Sequence, residues 1–531
     1  MTSDVLLIGL DGATFDVLDP LMAVGVMPVL QRLIARGVRA HLRSTVPALT
    51  PPAWTSLVTG RGPGAHGIFD FFRTEPGASG SIRLLTSRDV ACPTLWSLAS
   101  DAGLRSTVLN FPLTFPAPQI AGHVVSGGFM PWRQLRLGCH PEGLFDRLRS
   151  LPSFDPRELA LDMAQEAKAI EGCPDNEYES WIDMHIRRER QWADIAGYLH
   201  QTEPSPLTAV MFDGTDKIQH LCWRFVDAEL SRTLDSDWER RIREKCRDYY
   251  RELDVVIGRL CDSHQEATVF VVSDHGFGPQ RRTLFVNSWL ERAGLLRWRE
   301  GQVPETPGAA SLGLNQLSRH VYQLDWNHTR AYAPLPSGNG IHVVRADADH
   351  PGGVAPGDYQ RFRTELASQL LAIRDPQTGE PVVEHVWARE ELFDGPNLAL
   401  APDLTLELAD GGLVSILSSS DPVRQRPVPT GTHRPNGIFV AAGDEYRKGV
   451  RLGPLSILDV APLVLHALRL PIPAALDGRI TQEVFDPAAL AARPLRREST
   501  ATPSPSFSDV ELDAEAEAEI IERLQALGYV E

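Results

Sequence analysis

Three short runs of uninterrupted apolar residues, each broken at once by polar residues, constrain this chain more than any other feature. They are Val5–Leu10 followed by Asp11-Gly12, Leu207–Phe212 followed by DGTDKIQH, and Ala267–Val272 followed by SDHGFG. A strand that is apolar on both faces is buried on both faces, as in a parallel sheet covered by helices. Polar residues just past the carboxyl ends of such strands fall on the edge where α/β proteins build their sites. Between the runs lie stretches with helical spacing: Met27–Arg36, Thr94–Ala102, Ser180–His200 and Trp238–Cys261. The last carries Ile242, Cys246, Tyr249, Leu253, Ile257 and Leu260 on one face. This alternation predicts an α/β fold with a mainly parallel central sheet covered by helices on both faces.

A chain of 531 residues, 43% of them hydrophobic, suits one large α/β core carrying inserted cap segments. The expected core takes residues 1–111, 176–299 and 400–490, with caps over 112–175 and 300–399. A polar Pro/Ser linker follows over 491–512, then an acid-led amphipathic helix over 513–531 that packs on the body or makes a homo-oligomer. The net charge of −17 argues against a nucleic acid polymer as partner, and an anionic substrate needs a local positive site. No apolar run approaches the ~20 residues that span a bilayer, so no membrane insertion is expected. Six cysteines without a CxxC pair, and no basic leader, predict reduced thiols and a cytoplasmic protein.

The stretch Ser44–Phe72 carries the first chemical signal. A strand over Val38–Thr45 leads through a Pro/Thr-rich turn into a helix over Pro51–Thr59, stopped at Gly60, with Thr50 as its N-cap. There the hydroxyl would lie beside unpaired N–H groups at the positive end of the helix dipole, a place that stabilises an alkoxide or a phosphoryl oxygen. Alone, such a threonine does no more than cap a helix.

The strand ends add Asp11, Asp216, His220, Asp274 and His275, and His433 lies between two late strands. Each has a plainer role singly: Asp216 as a helix cap, His220 as a helix-face histidine, Asp274 in a turn. Together they supply three carboxylates, three imidazoles and a hydroxyl, a mixed oxygen–nitrogen set that suits two Zn²⁺ ions. Two divalent ions against three carboxylates leave about one positive charge, the anion trap an acidic protein lacks. Ions roughly 4 Å apart can hold the attacking and leaving oxygens of an in-line phosphoryl transfer.

In this order, LLIGLDG, TPPAWTSLVTGRGPGAHGI, DGTDKIQH, SDHGFG and GTHRPNG resemble the alkaline phosphatase superfamily. The resemblance is greatest to its type I phosphodiesterase/nucleotide pyrophosphatase branch, including predicted cytosolic phosphohydrolase/phosphomutase proteins. It implies an alkaline phosphatase-like core, with Thr50 as nucleophile. Asp11, Asp274, His275 and the Thr50 oxygen would hold one metal, and Asp216, His220 and His433 the other, with Zn²⁺ expected and Mn²⁺ the alternative. A phosphothreonine would form and be hydrolysed, with retention at phosphorus. Nucleotide pyrophosphatases place a phosphate-binding Asn where ungapped counting from His66 reaches Phe71. Asp70 and Arg73 are the nearby replacements, with Arg73 suited to a phosphate oxygen.

The implied activity is cleavage of a phosphodiester or phosphoanhydride in a small-molecule phosphate ester. A phosphomonoesterase, a phosphoryl transferase or phosphomutase, and a non-catalytic binding member remain alternatives. A monoester dianion asks for cations beyond the metals, and the motif blocks and their flanks offer Lys217, Arg61, Arg73 and Arg434.

Overall fold

The computed structural model describes residues 4–74, 82–127, 134–159, 165, 168, 169, 172–299 and 321–499. Strand β1 (Val5–Leu10) stands at the centre of the main sheet. Its neighbours are β6 (Leu207–Phe212) and β7 (Thr268–Val272), both parallel to it. Because side chains alternate along a strand, Leu6, Ile8 and Leu10 enter the apolar core on one face of the sheet, and Val5 and Leu7 that on the other. That two-sided burial is why the run contains no polar residue.

The other strands are β2 (Val38–Arg43), β3 (Ser106–Leu109), β4 (Gly122–Val125), β5 (Cys139–His140), β8 (Asn436–Ala442) and β9 (Val450–Arg451). The order is β9-β2-β8-β7-β1-β6-β3-β4-β5, with Leu455–Ser456 also paired to β2. The five strands β7-β1-β6-β3-β4 are parallel, and β8 runs antiparallel to both β2 and β7. The main-unit helices that matter below are α1 (Phe15–Ala23), α2 (Pro28–Arg36), α3 (Thr50–Thr59), α4 (Tyr178–Thr202), α5 (Gly214–Val226) and α6 (Asp237–Ser263). Among the described residues no single helix is long and apolar enough to cross a membrane.

The described residues form two compact units. The first takes 4–66, 86–278 and 433–499, including the main sheet; the second takes 67–74, 82–85, 279–299 and 321–432. The second is built on an antiparallel sheet in the order Ala331–Tyr332, Gly340–Val343, Leu404–Leu408, Val383–Ala388. Its own core includes Leu290, Ile341, Leu366, Leu370, Leu404 and Leu406.

Two expectations need correction. The segment 112–175 was expected to be a cap, yet Gly122–Val125 and Cys139–His140 extend the main sheet. Of the strand Gly122–Val125 itself, Val124 and Val125 are the apolar core members, one on each face, too short an apolar signal to stand out. Trp181, near the start of α4, is buried in the core that this helix helps to build, and Tyr178 packs against it. Residues 300–320 of the second expected cap, the helix expected over 513–531 and the homo-oligomer it was expected to make lie outside the described residues. Of the linker 491–512, residues 491 and 492 finish a helix (Pro487–Ala492) and Arg497–Glu498 pair with Ile472–Pro473.

Helix α3 lies so close to β1 that a Cβ on Gly9 would come 2.5 Å from the Trp54 ring. Gly9→Ala therefore forces α3 off the sheet or twists a fully buried tryptophan. We expect it to cost about 1–3 kcal/mol, as overpacked cores do. Chemical denaturation of the purified variant checks this, and an unchanged midpoint would refute it.

Candidate active site

Register brings the candidate residues together. In β1, Leu10 pairs with Phe212 and Gly9 with Val272. Continuing the ladders sets Asp11 level with both Asp213 and Asp274, so the residues after the three apolar runs meet on one sheet edge. Asp11, Asp216, Asp274 and His275 are almost wholly buried, and His433 is 6% exposed. Asp216 and His220 lie one turn apart on α5, on the same helix face.

Thr50 is not an N-cap. Leu49 takes that extended position, at φ −133° and ψ 134°, and Thr50 is the first residue of α3. Pro51 and Pro52 occupy the next two positions and have no N–H, so the expected nest of free backbone donors is missing. The Thr50 hydroxyl is instead placed by chain direction, with Oγ1 3.3 Å from His275 Nε2. Gly60 ends the helix at φ 62°, as expected.

Two groups of donor atoms result, one of three and one of four. In one, Asp216 Oδ1 is 3.5 Å from His220 Nε2 and 3.3 Å from His433 Nε2, and those two nitrogens are 3.1 Å apart. In the other, His275 Nε2 is 3.5 Å from Asp11 Oδ1, 3.2 Å from Asp274 Oδ2 and 3.3 Å from Thr50 Oγ1. Donors about 2.0–2.1 Å from a tetrahedral zinc stand roughly 3.3 Å apart, so both spacings fit a bound cation. Ligand atoms of Asp11, Asp216 and His275 also fall within 4.8 Å of one another, so Asp216 reaches both groups rather than the one expected for it.

Hydrogen bonds orient these donors. His433 Nδ1 lies 2.9 Å from the Ala48 carbonyl, and His275 Nδ1 3.1 Å from the Gly276 carbonyl. A carbonyl only accepts, so each Nδ1 carries the proton and each Nε2 presents a lone pair to the cluster. Gly12 N–H donates to Asp274 Oδ1 at 3.1 Å, and Trp54 Nε1–H donates to Asp11 Oδ2 at 3.4 Å. The remaining oxygens, Asp11 Oδ1, Asp274 Oδ2 and Asp216 Oδ1, are buried without hydrogen-bond partners among the described residues. Phe277 closes the apolar side, with its ring centroid 4.7 Å from His220 and 5.3 Å from His433.

The electrostatics also call for a cation. Burial, then the charges of Asp274 and Asp216, push Asp11 well above the carboxylate range. Burial lifts Asp274 to about 7, and burial with the neighbouring His433 holds His275 well below an ordinary histidine. Burial would also raise Asp216, but His220, Lys217 and His433 hold it well below its usual value. Uncompensated buried charge is costly, and orphaned carboxylate oxygens facing imidazole lone pairs are what a divalent ion satisfies.

Arg73 and Asp70 belong to the second unit. Arg73 pairs across a hairpin with Arg83 and donates to the Gly67 carbonyl at 3.2 Å. Asp70 accepts from the Ser337 hydroxyl at 2.7 Å, and burial raises it to about 6.

A second buried polar cluster escaped the sequence reading. Asp213 pairs with Arg188 at 3.1 Å and accepts from Asn110 Nδ2 at 3.4 Å. Glu189 accepts from Tyr249 Oη at 2.8 Å and from Gly214 N at 2.9 Å. Asp213, first in DGTDKIQH, carries a readable signal because it follows a buried strand. Arg188 and Glu189 carry none, since charges on a long helix read as solvent-facing.

Residues 5–436 match the type I phosphodiesterase/nucleotide pyrophosphatase family, and the chain belongs to it. It is thereby a metal-dependent hydrolase of the alkaline phosphatase superfamily, whose members in this family use two metals. No curated protein matches it in sequence. Two solved structures share the fold. Murine ectonucleotide pyrophosphatase/phosphodiesterase 5, in an inactive threonine-to-alanine form in complex with AMP, has a TM-score of 0.50 and 14% identity, covering 91% of this chain and 100% of its own. Phosphonoacetate hydrolase from Sinorhizobium meliloti 1021, in complex with phosphonoacetate, has a TM-score of 0.50 and 16% identity, covering 88% and 95%.

Burial pushes Glu189 from 4.5 up to about 8. The folded protein keeps that proton up to about pH 8, whereas the unfolded chain releases it near its ordinary value, so the group's stabilisation is lost as pH rises toward about 8. Glu189→Gln keeps the acceptor and removes the titration. Its Tm should therefore fall less than the wild type's between about pH 5 and 8, and parallel profiles in scanning calorimetry would refute this.

Proposed function

We propose that this chain hydrolyses a small-molecule phosphodiester or phosphoanhydride through a phosphothreonine on Thr50. The observation that carries the reading is the approach of Thr50 Oγ1 to 3.3 Å from His275 Nε2, inside the cluster of buried acids and imidazoles. Asp11, Asp274, His275 and Thr50 would hold one divalent cation, and Asp216, His220 and His433 the other. The donor set favours Zn²⁺, with Mn²⁺ as the alternative. Such a pair, when bound, supplies positive charge that eases loss of the hydroxyl proton and offsets charge on the leaving oxygen.

The chain's own residues set the geometry. Helix α3 fixes Thr50 Oγ1 on the sheet edge, and the Nδ1 hydrogen bonds of His275 and His433 hold their rings in place. Attack by Oγ1 forms an O–P bond to Thr50 and breaks the bond to the leaving alcohol or phosphate. Water then cleaves the Thr50 ester and restores the hydroxyl. The inactive threonine-to-alanine form of the murine fold relative, in complex with AMP, supports a threonine at the centre of the chemistry. Six free cysteines support a reducing, cytoplasmic setting.

Thr50→Ala should keep its metal and fold but lose turnover by about a thousandfold or more, as removal of a nucleophile does. Assay on bis(p-nitrophenyl) phosphate checks this, and full activity would exclude Thr50 as nucleophile. His433→Ala should bind fewer metal ions per chain by elemental analysis; wild-type stoichiometry would remove His433 from the ligand set.

A further inference from the structure

Three cations, Arg61, Lys217 and Arg434, lie in the motif blocks and Arg73 follows the second, and the structure separates the four. Arg61 is turned onto Asp477, with Nε 3.2 Å from its carboxylate. Arg434 donates to the His433 carbonyl at 3.0 Å and packs along Gly278. Arg73 donates to the Gly67 carbonyl in the second unit. Lys217 differs. It follows Asp216 on α5, its Nζ is 3.5 Å from Asp216 Oδ2, and its side chain remains 20% exposed. Its positive field acts on Asp11, Asp213 and Asp216 together, so the ammonium stands among the acids of the site. The nearby buried cation, Arg188, is matched one for one by Asp213.

We infer that Lys217 is a substrate-binding residue that reads a second negative charge on the phosphoryl group, and so sets how the enzyme ranks dianionic against monoanionic substrates. The inference rests on the phosphohydrolase reading above. Once cations neutralise Asp216, its carboxylate no longer holds the ammonium, and like charge drives Lys217 toward the substrate's oxygens. Two divalent ions and one lysine against three carboxylates leave about two positive charges. That balance suits the terminal dianion of the proposed phosphoanhydride more closely than a diester monoanion, and a monoester serves as the simple dianionic probe. The flexible stem delivers a point charge, without the planar fork by which arginine also fixes orientation.

The experiment uses full-length, metal-loaded enzyme as wild type, Lys217→Met and Lys217→Arg. It compares kcat/KM on p-nitrophenyl phosphate and bis(p-nitrophenyl) phosphate, measures inorganic phosphate binding by calorimetry, and counts metal per chain. In Lys217→Met the monoester-to-diester ratio should fall about ten- to a hundredfold, the scale of one lost charge-assisted hydrogen bond. Phosphate should bind correspondingly more weakly, metal content should hold, and Lys217→Arg should recover most of both losses. An unchanged ratio with unchanged phosphate affinity overturns the role of Lys217 while leaving the hydrolase reading intact. Loss of metal in Lys217→Met, or no recovery in Lys217→Arg, makes Lys217 a structural partner of Asp216 and also overturns it. A wild type that turns over neither ester and binds no phosphate overturns the hydrolase reading, and this inference with it.

Discussion

Three carboxylates buried within a few ångströms of one another cannot all be ionised without positive charge among them, and the main unit is arranged around that problem. Asp11, Asp216 and Asp274 lie where sheet register has taken water away. Each keeps one oxygen without a hydrogen-bond partner among the described residues, pointing to a shared need rather than to separate defects. Folding alone gives such a cluster no reason to persist, because burial raises the cost of every charge in it. Divalent cations make the arrangement favourable. The unpartnered oxygens and the proton-free Nε2 atoms of His275 and His433 are thus the most informative atoms in the protein.

The supports of the cluster come from elements with little chemistry of their own. The two apolar cores grip the sheet from both faces and keep the strand ends level. Gly9 leaves room for Trp54, which brings α3 against β1 and donates to Asp11. One tryptophan thereby ties the helix that carries Thr50 to the strand that carries the first acid. At the start of α5, the Arg188–Asp213 pair and the neutralised Glu189, which accepts from Gly214 N, add no net charge. The positive charge of Lys217 acts both on Asp213 and on the acids of the site.

Much of the fold was legible because the central strands are buried on both faces, and two-sided burial leaves an uninterrupted apolar run. Val5–Leu10 and Leu207–Phe212 are strands with the expected bounds, and the long helices differ from expectation by only a few residues. The short strands toward one side of the sheet were not legible: Gly122–Val125 is short and partly polar, so local pattern said nothing of its pairing. The cap position of Thr50 failed for a related reason. The N-cap depends on backbone torsions around Leu49, and the two prolines that marked the helix start also removed the donors that made the capping argument attractive.

The sequence by itself determined the α/β class, the strand ends that carry Asp11, Asp216, Asp274 and His275, and membership of the chemistry in a two-metal family. Apolar periodicity and residue type are local quantities, and motif order survives changes elsewhere in the chain. Tertiary structure alone decided which atoms face one another. It brought His433 next to His220 across more than two hundred residues, let Asp216 reach both donor groups, and singled out Lys217 from four cations. Those outcomes depend on strand register and side-chain direction, where a shift of one residue turns every side chain to the opposite face.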